Sequence, residues 1–167
     1  ALGPIVLGYN HPRVNEAIIH QAHNGAVFSQ MHPLEVEVAE LMCDLIPCAE
    51  MVRFGKNGSD VTTAAVRAAR AYTGRERIAV AGYHGWHDWY IGTTTRDKGV
   101  PQAVKTLSHT FPYNELNALE SLFDRHPGEF ACVMMEAIGV EDPKPGYLQG
   151  VKNLCEKNGV VLIFDEI

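Results

Sequence analysis

Apolar positions follow two regimes along the chain. In the first, they recur every three or four residues. Val14, Ala17, Ile18 and Ala22 predict one helix, closed by Asn24-Gly25, two residues tolerant of left-handed backbone. Pro33 opens a second helix with the stripe Leu34, Val38, Leu41, Met42 and Leu45, and Pro47 stops it; Glu35, Glu37, Glu40 and Asp44 fall mainly outside the stripe. From Met51 the second regime begins, in which apolar residues come in short, mostly continuous runs. Met51-Val52-Arg53-Phe54, Ile78 to Tyr83, Phe130 to Met135 and Val160 to Phe164 are each expected to be strands.

Between these runs lie further helical patterns. The Ala-rich stretch from Val61 is capped by Ser59 or Asp60 and ends at Gly74; its Ala64, Ala65, Ala68 and Ala69 would allow close approach to a sheet. Asn114 is expected to cap a helix carrying Leu116, Leu119, Leu122 and Phe123, and Val151 to Lys157 forms another, stopped by Asn158-Gly159. Thr93 to Pro101 reads as a polar excursion, and periodicity stays poor as far as Thr110. Strands that are apolar throughout, alternating with helices, predict an α/β fold: a mainly parallel sheet flanked by helices on both faces. Two parts are expected, a lead segment with helices over 1–48 and a sheet-bearing part over 49–167. The absence of an initiator Met and the stop on VVLIFDEI suggest an internal piece of a longer protein.

Composition narrows the classes of function. With 46% hydrophobic and 20% charged residues over 167 positions, the chain has a globular balance, which excludes a disordered tail or a disulfide-stapled miniprotein. Fourteen basic against twenty acidic side chains give 14 − 20 = −6, which argues against a nucleic-acid or anionic-membrane binder. No apolar run approaches the roughly 20 residues that span a bilayer. Cys43, Cys48, Cys132 and Cys155 lack zinc or redox spacing, so reduced structural thiols in a cytoplasmic protein are expected.

Ligands of such sheets gather at the carboxyl ends of the strands, and three groups of residues converge there. Gly58-Ser59-Asp60 begins a helix, where free amides can hold a phosphate, although neither GxxxxGK[ST] nor GxGxxG is present. An ordinary helix cap would use the same residues. Tyr83-His84-Gly85, followed by Trp86, His87 and Trp89, could stack on a planar ring or simply fill a rim. His84, His87 and Asp88 would be the members of a metal site, against a plainer reading as satisfied rim histidines. Asp165, and Glu136 one predicted strand earlier, follow fully apolar runs; an acid so placed is poorly solvated and needs a partner. Such acids could bind a metal, exchange protons or accept a proton from a heteroaromatic nitrogen. Met31 and His32, before Pro33, read as loop.

Taken in order, these residues resemble the class III, fold-type I, pyridoxal-phosphate-dependent aminotransferases, with a look nearest to glutamate-1-semialdehyde aminomutase. The likeness spans Leu7-Gly8-Tyr9-Asn10-His11-Pro12, Asn57-Gly58-Ser59-Asp60, Arg67 to Gly74, Tyr83-His84-Gly85, Glu136 and Leu162 to Ile167. The resemblance implies an incomplete pyridoxal-phosphate-binding major domain, with pyridoxal 5'-phosphate as cofactor. Gly58 and Ser59 would hold its phosphate, and Asn57 stands where the family commonly has Ser. Tyr83 would stack on one ring face with His84 beside it in the wall, and Ile167 would cover the other face. Asp165 would pair with the protonated ring nitrogen, and Glu136 would line the site, with Ala137 where the family often has Pro.

The family's Schiff-base lysine is expected beyond Ile167, since Lys56, Lys98, Lys105, Lys144, Lys152 and Lys157 do not match its context. The chain alone is therefore expected to be inactive, and its parent to be a cytoplasmic homodimer acting on a small amino donor and acceptor. Aminotransfer and intramolecular aminomutase chemistry use the same residues here. A noncatalytic phosphate-ligand or interaction module is the alternative from another class, and a metal-dependent hydrolase a third.

Overall fold

The structure is a computed structural model that describes residues 5–167. The first four residues of the lead segment expected over 1–48 lie outside the described residues. The described residues form two compact units, one of residues 5–54 with Ile167 and the other of residues 55–166.

The first unit carries α1 (Pro12–Asn24) and α2 (Pro33–Leu45), each with proline at its start as the sequence suggests. Neither helix buries a residue, although their apolar stripes are long. Met31 and His32 lie in the loop before α2, as expected, and His32 has a further part there. Its ring nitrogen accepts from the Leu34 amide at 3.2 Å, and the Glu35 carboxylate accepts from the His32 amide at 3.0 Å, so His32 closes a reciprocal cap on α2. Met51 to Phe54 is not a strand. Met51 is 90% exposed, and the segment pairs with no strand among the described residues, so it has no ladder to join.

The second unit is built on one sheet with the order β2-β1-β3-β4, in which every pairing is parallel. The strands are β1 (Arg77–Ala81), β2 (Ser108–Thr110), β3 (Phe130–Glu136) and β4 (Val161–Asp165). The helices of this unit are α3 (Gly58–Thr73), α4 (Asp88–Ile91), α5 (Gln102–Lys105), α6 (Leu116–Arg125) and α7 (Tyr147–Asn158). Side chains alternate across the sheet and divide the core in two. On one face Ile78, Val80, Cys132 and Met134 pack with Val66 and Ala69 of α3 and with Trp89 and Tyr90 of α4. On the other, Ala79, Ala81, Val133 and Met135 pack with Leu119, Leu122 and Phe123 of α6 and Val151, Leu154 and Cys155 of α7. Both faces of β1 and β3 are thus dry, which is why their sequences are apolar throughout rather than alternating.

Several local expectations are corrected. The cap of α3 is Asn57, whose side-chain oxygen accepts from the Asp60 amide at 3.2 Å, rather than Ser59 or Asp60. Of the four alanines on α3, Ala65 and Ala69 face the sheet, whereas Ala64 and Ala68 are exposed. The poorly periodic stretch that follows the polar excursion, from Pro101 to Thr110, contains α5 and then β2, a three-residue edge strand of Ser, His and Thr. Asn114 does not cap α6. It is buried with φ 64°, donates to the Asp142 carbonyl at 3.0 Å and accepts from the Lys144 amide at 2.8 Å, tying down the loop after β3.

Cys132 and Cys155 lie in the two cores, and burial pushes both thiols up to about 12. At the base of the sheet Arg77 donates to His109 Nε2 at 2.8 Å and to Glu129 at 2.6 Å. His109 is thereby an acceptor and neutral. Burial, with Arg77 adding to it, holds its pKa below the ordinary histidine value.

Two outcomes follow for the full native polypeptide. Leu119 is fully buried, so Leu119→Ala should cost about 2–5 kcal/mol in urea unfolding. Because the unfolded His109 binds a proton near pH ~6.5 and the folded one resists it, stability should fall as pH drops below that value. Asp97 and Glu129, held below the usual carboxylate range by Lys105 and Arg77, lose their contribution only at more acidic pH. The urea midpoint should therefore decline between pH 7 and 5.5 in the native protein and decline less in His109→Asn; equal slopes would contradict this assignment.

Candidate functional site

In a parallel sheet every strand ends on the same edge, so the residues after β1, at the end of β3 and at the end of β4 are brought together. Glu136 and Asp165 are partners in the β3–β4 register. Each continues the alternation that places Met134 and Ile163 against α3, so both carboxylates lie on the α3 face of the sheet. The amino end of α3, with Gly58 and Ser59, belongs to that same face.

Asp165 has found the partner that its apolar strand demands. Its Oδ2 lies 2.9 Å from His84 Nδ1, with side-chain exposures of 6% and 0%. The other ring nitrogen, Nε2, lies 3.0 Å from the Ala81 carbonyl. A carbonyl only accepts, so Nε2 carries a hydrogen, and one further proton is shared between Nδ1 and the carboxylate. His84 is buried beneath the rim, its ring edge-on to Tyr90 at 5.5 Å, where the apolar core on the α3 face closes around it.

Tyr83 remains on the rim, 64% exposed, and meets Tyr90 edge-on at 5.5 Å. The Tyr90 hydroxyl donates to the Gly82 carbonyl at 2.9 Å, and burial, with Tyr83 and Glu136 adding to it, pushes its pKa up. Glu136 sits between two glycines: a Cβ on Gly82 or Gly139 would come within 3.3 or 3.1 Å of its Oε2. Its backbone level is further fixed by Tyr113, which donates to the Ala137 carbonyl at 2.7 Å.

The turn from His84 to His87 is fastened to the first two turns of α3 by three hydroxyls. Ser59 Oγ accepts from the Trp86 amide at 3.3 Å. Thr62, itself buried, donates to the His84 carbonyl at 3.1 Å and, more distantly, to the Ser59 carbonyl at 3.3 Å. Thr63 Oγ1 lies 2.8 Å from His87 Nδ1 and accepts from Trp89 Nε1 at 2.8 Å. Gly85, with φ 102°, has no room for a side chain because a Cβ would run into Ser59. These fastenings were missed in the sequence; a glycine after Tyr-His and hydroxyls spaced along one helix start were the available signals.

The chemistry of this edge is now definite. The amides of Gly58 and Ser59 at the positive end of α3 have no acceptor among the described residues, and Ser59 Oγ, accepting from Trp86, keeps its own hydrogen to donate. That is a donor set for an anion such as phosphate. A carboxylate paired with an imidazole stands across the same face. The metal reading fares differently, because His84 has both ring nitrogens engaged, His87 Nδ1 is held by Thr63, and no group of three suitable ligands occurs among the described residues. Lys105, Lys144 and Lys152 are paired with Asp97, Glu115 and Glu156. Ile167, 58% exposed, belongs with the first unit.

Known proteins carry the same arrangement of sequence. The family model for aminotransferase class III matches residues 1–167. The chain is 38% identical over 174 residues to the 3-aminobutyryl-CoA aminotransferase of Cloacimonas acidaminovorans, covering 100% of this chain and 41% of the relative. It is 40% identical over 180 residues to the glutamate-1-semialdehyde 2,1-aminomutase of Myxococcus xanthus, covering 99% of this chain and 42% of the relative. A transaminase solved with pyridoxal phosphate bound superposes with a TM-score of 0.89 and 30% identity over 96% of this chain and 41% of its own. The chain thus spans about two fifths of the length of these relatives. With a parallel sheet and a matching family model over its whole length, this chain belongs to the class III aminotransferases.

Proposed function

We propose that the protein carrying this chain is a pyridoxal-phosphate-dependent enzyme that transfers an amino group between small amino and keto compounds. The observation that carries the reading is the buried His84–Asp165 pair at 2.9 Å on the sheet face that also holds the amino end of α3. A phosphate needs donors without acceptors and a pyridinium needs a carboxylate held away from water; both kinds of group are present. The cofactor would supply an electron sink for a substrate carbanion. The residues of this chain would bind and hold. Gly58 and Ser59 would take the phosphate through amide and hydroxyl hydrogens. Asp165 would pair with the protonated ring nitrogen, and His84 would hold the Asp165 side chain correctly turned.

Tyr83 would cover one ring face and Ile167 the other, and Glu136 would line the site beside Asp165. The amine nucleophile would be a lysine outside this chain, which makes the chain by itself inactive. Aminotransferase and aminomutase both need the groups named here. The partners would be a small amino donor and acceptor and a second copy of the protein, in the cytoplasm, with neither nucleic acid nor membrane involved. No helix among the described residues is long and apolar enough to cross a membrane.

The test uses the full native polypeptide loaded with pyridoxal phosphate and offered amino donors, with the cofactor absorbance and keto product followed. Asp165→Asn, which preserves shape but removes the charge, should lower turnover by about 100-fold or more while the fold remains. Undiminished turnover would overturn the role of Asp165. His84→Ala removes two hydrogen bonds, to Asp165 and to the Ala81 carbonyl, and should cost about 1–3 kcal/mol of stability in urea unfolding.

A further inference from the structure

The phosphate-ready start of α3 and the carboxylate of Asp165 belong to elements far apart in the chain, yet one run of bonds joins them. Thr62 stands at the middle of it. Its hydroxyl is buried with a residue exposure of 5%, and its hydrogen reaches the His84 carbonyl at 3.1 Å and the Ser59 carbonyl at 3.3 Å. The His84 ring then reaches Asp165 at 2.9 Å and the Ala81 carbonyl at 3.0 Å. The helix that would receive an anion is therefore fixed, through one hydroxyl and one imidazole, to the acid at the end of β4.

We propose that Thr62 is a positioning residue that sets the spacing between the anion-binding amino end of α3 and the Asp165 carboxylate. Its effect falls on ligands that engage both ends at once. The inference rests on the reading above, that one cofactor bridges Gly58-Ser59 and Asp165. Thr62 need not touch that cofactor. It holds the His84 main chain, and through it the ring that orients Asp165, at a constant offset from the first turn of the helix. Ser59 and Thr63 fasten the neighbouring residues of the same turn to the same helix, Trp86 and His87 respectively. Thr62 differs from them in being bonded to the residue that itself grips Asp165, and in being buried where water cannot replace the lost bond.

A spacer of this kind has a distinctive signature. A ligand spanning both ends gains from pre-set geometry, whereas a ligand using one end gains nothing from it. Inorganic phosphate addresses only the helix start, and pyridoxal, lacking the phosphate, addresses only the ring end. Thr62→Val keeps the side-chain shape and removes the hydroxyl; Thr62→Ser keeps the hydroxyl and removes the methyl group.

Equilibrium binding would be measured on the full native polypeptide, by cofactor absorbance for pyridoxal phosphate and pyridoxal and by competition for inorganic phosphate. Thr62→Val should bind pyridoxal phosphate about tenfold more weakly, and bind phosphate alone and pyridoxal alone with unchanged affinity. Thr62→Ser should restore the native value for pyridoxal phosphate. Should Thr62→Val fail to fold, Thr62→Ala against Thr62→Ser makes the same comparison. Equal weakening of pyridoxal phosphate and inorganic phosphate would overturn the inference, since Thr62 would then merely build the anion site. Unchanged binding of pyridoxal phosphate by the hydroxyl-free variant would overturn it as well. If the native protein itself bound no pyridoxal phosphate, the functional reading would fall first, and that outcome is distinct from either of the others.

Discussion

A carboxylate at the end of an apolar strand is costly to bury unless a partner meets it, and the arrangement of this sheet edge follows from that constraint. Asp165 is met by His84, which is itself fixed by the Ala81 carbonyl at the end of the neighbouring part of the sheet. The imidazole cannot turn without losing one of two buried bonds. His84 therefore has a single orientation, and Asp165 inherits it. The main chain of His84 is in turn held from α3 by Thr62, so the fixed point extends back to the helix start.

Packing supplies the rest of the rigidity. The two faces of β1 and β3 are both covered, one by α3 and α4 and the other by α6 and α7. Interiors packed to this density respond to displacement as a body rather than locally. Glycine appears where backbone or carboxylate must come close: Gly85 against Ser59, and Gly82 and Gly139 on either side of Glu136. The rim residues that are free of such packing, Tyr83 and Trp86, are the exposed aromatics available to a flat ligand.

The sequence was most legible where burial is two-sided. Phe130 to Met135 and Ile78 to Ala81 are unbroken apolar runs because both their faces are dry, and they are strands. Ser108-His109-Thr110 carries no such run, because an edge strand joined only to β1 is held by its backbone ladder rather than by apolar side chains. Met51 to Phe54 is mostly apolar but has no partner strand among the described residues, and pairing is not visible in composition. Asn114 was legible as a special residue, but its left-handed backbone and two loop hydrogen bonds depend on residues 28 and 30 positions later. At the site, the need of Asp165 for a partner could be inferred from its strand. That the partner is His84, 81 positions away, could not, because only the parallel topology places the end of β1 near the end of β4. The same distance concealed Thr62 and Thr63, whose hydroxyls look unremarkable on a helix until the 84–87 turn is laid against them.

The central claim is geometric: one phosphorylated pyridine ring fits between the amino end of α3 and the carboxylate that His84 holds. A crystal structure of the full native polypeptide with pyridoxal phosphate tests it most directly. The account requires the ring nitrogen within hydrogen-bond distance of Asp165, the phosphate on the Gly58 and Ser59 amides, and the His84–Asp165 bond intact. A phosphate seated elsewhere, or a ring nitrogen facing a group other than Asp165, would contradict it.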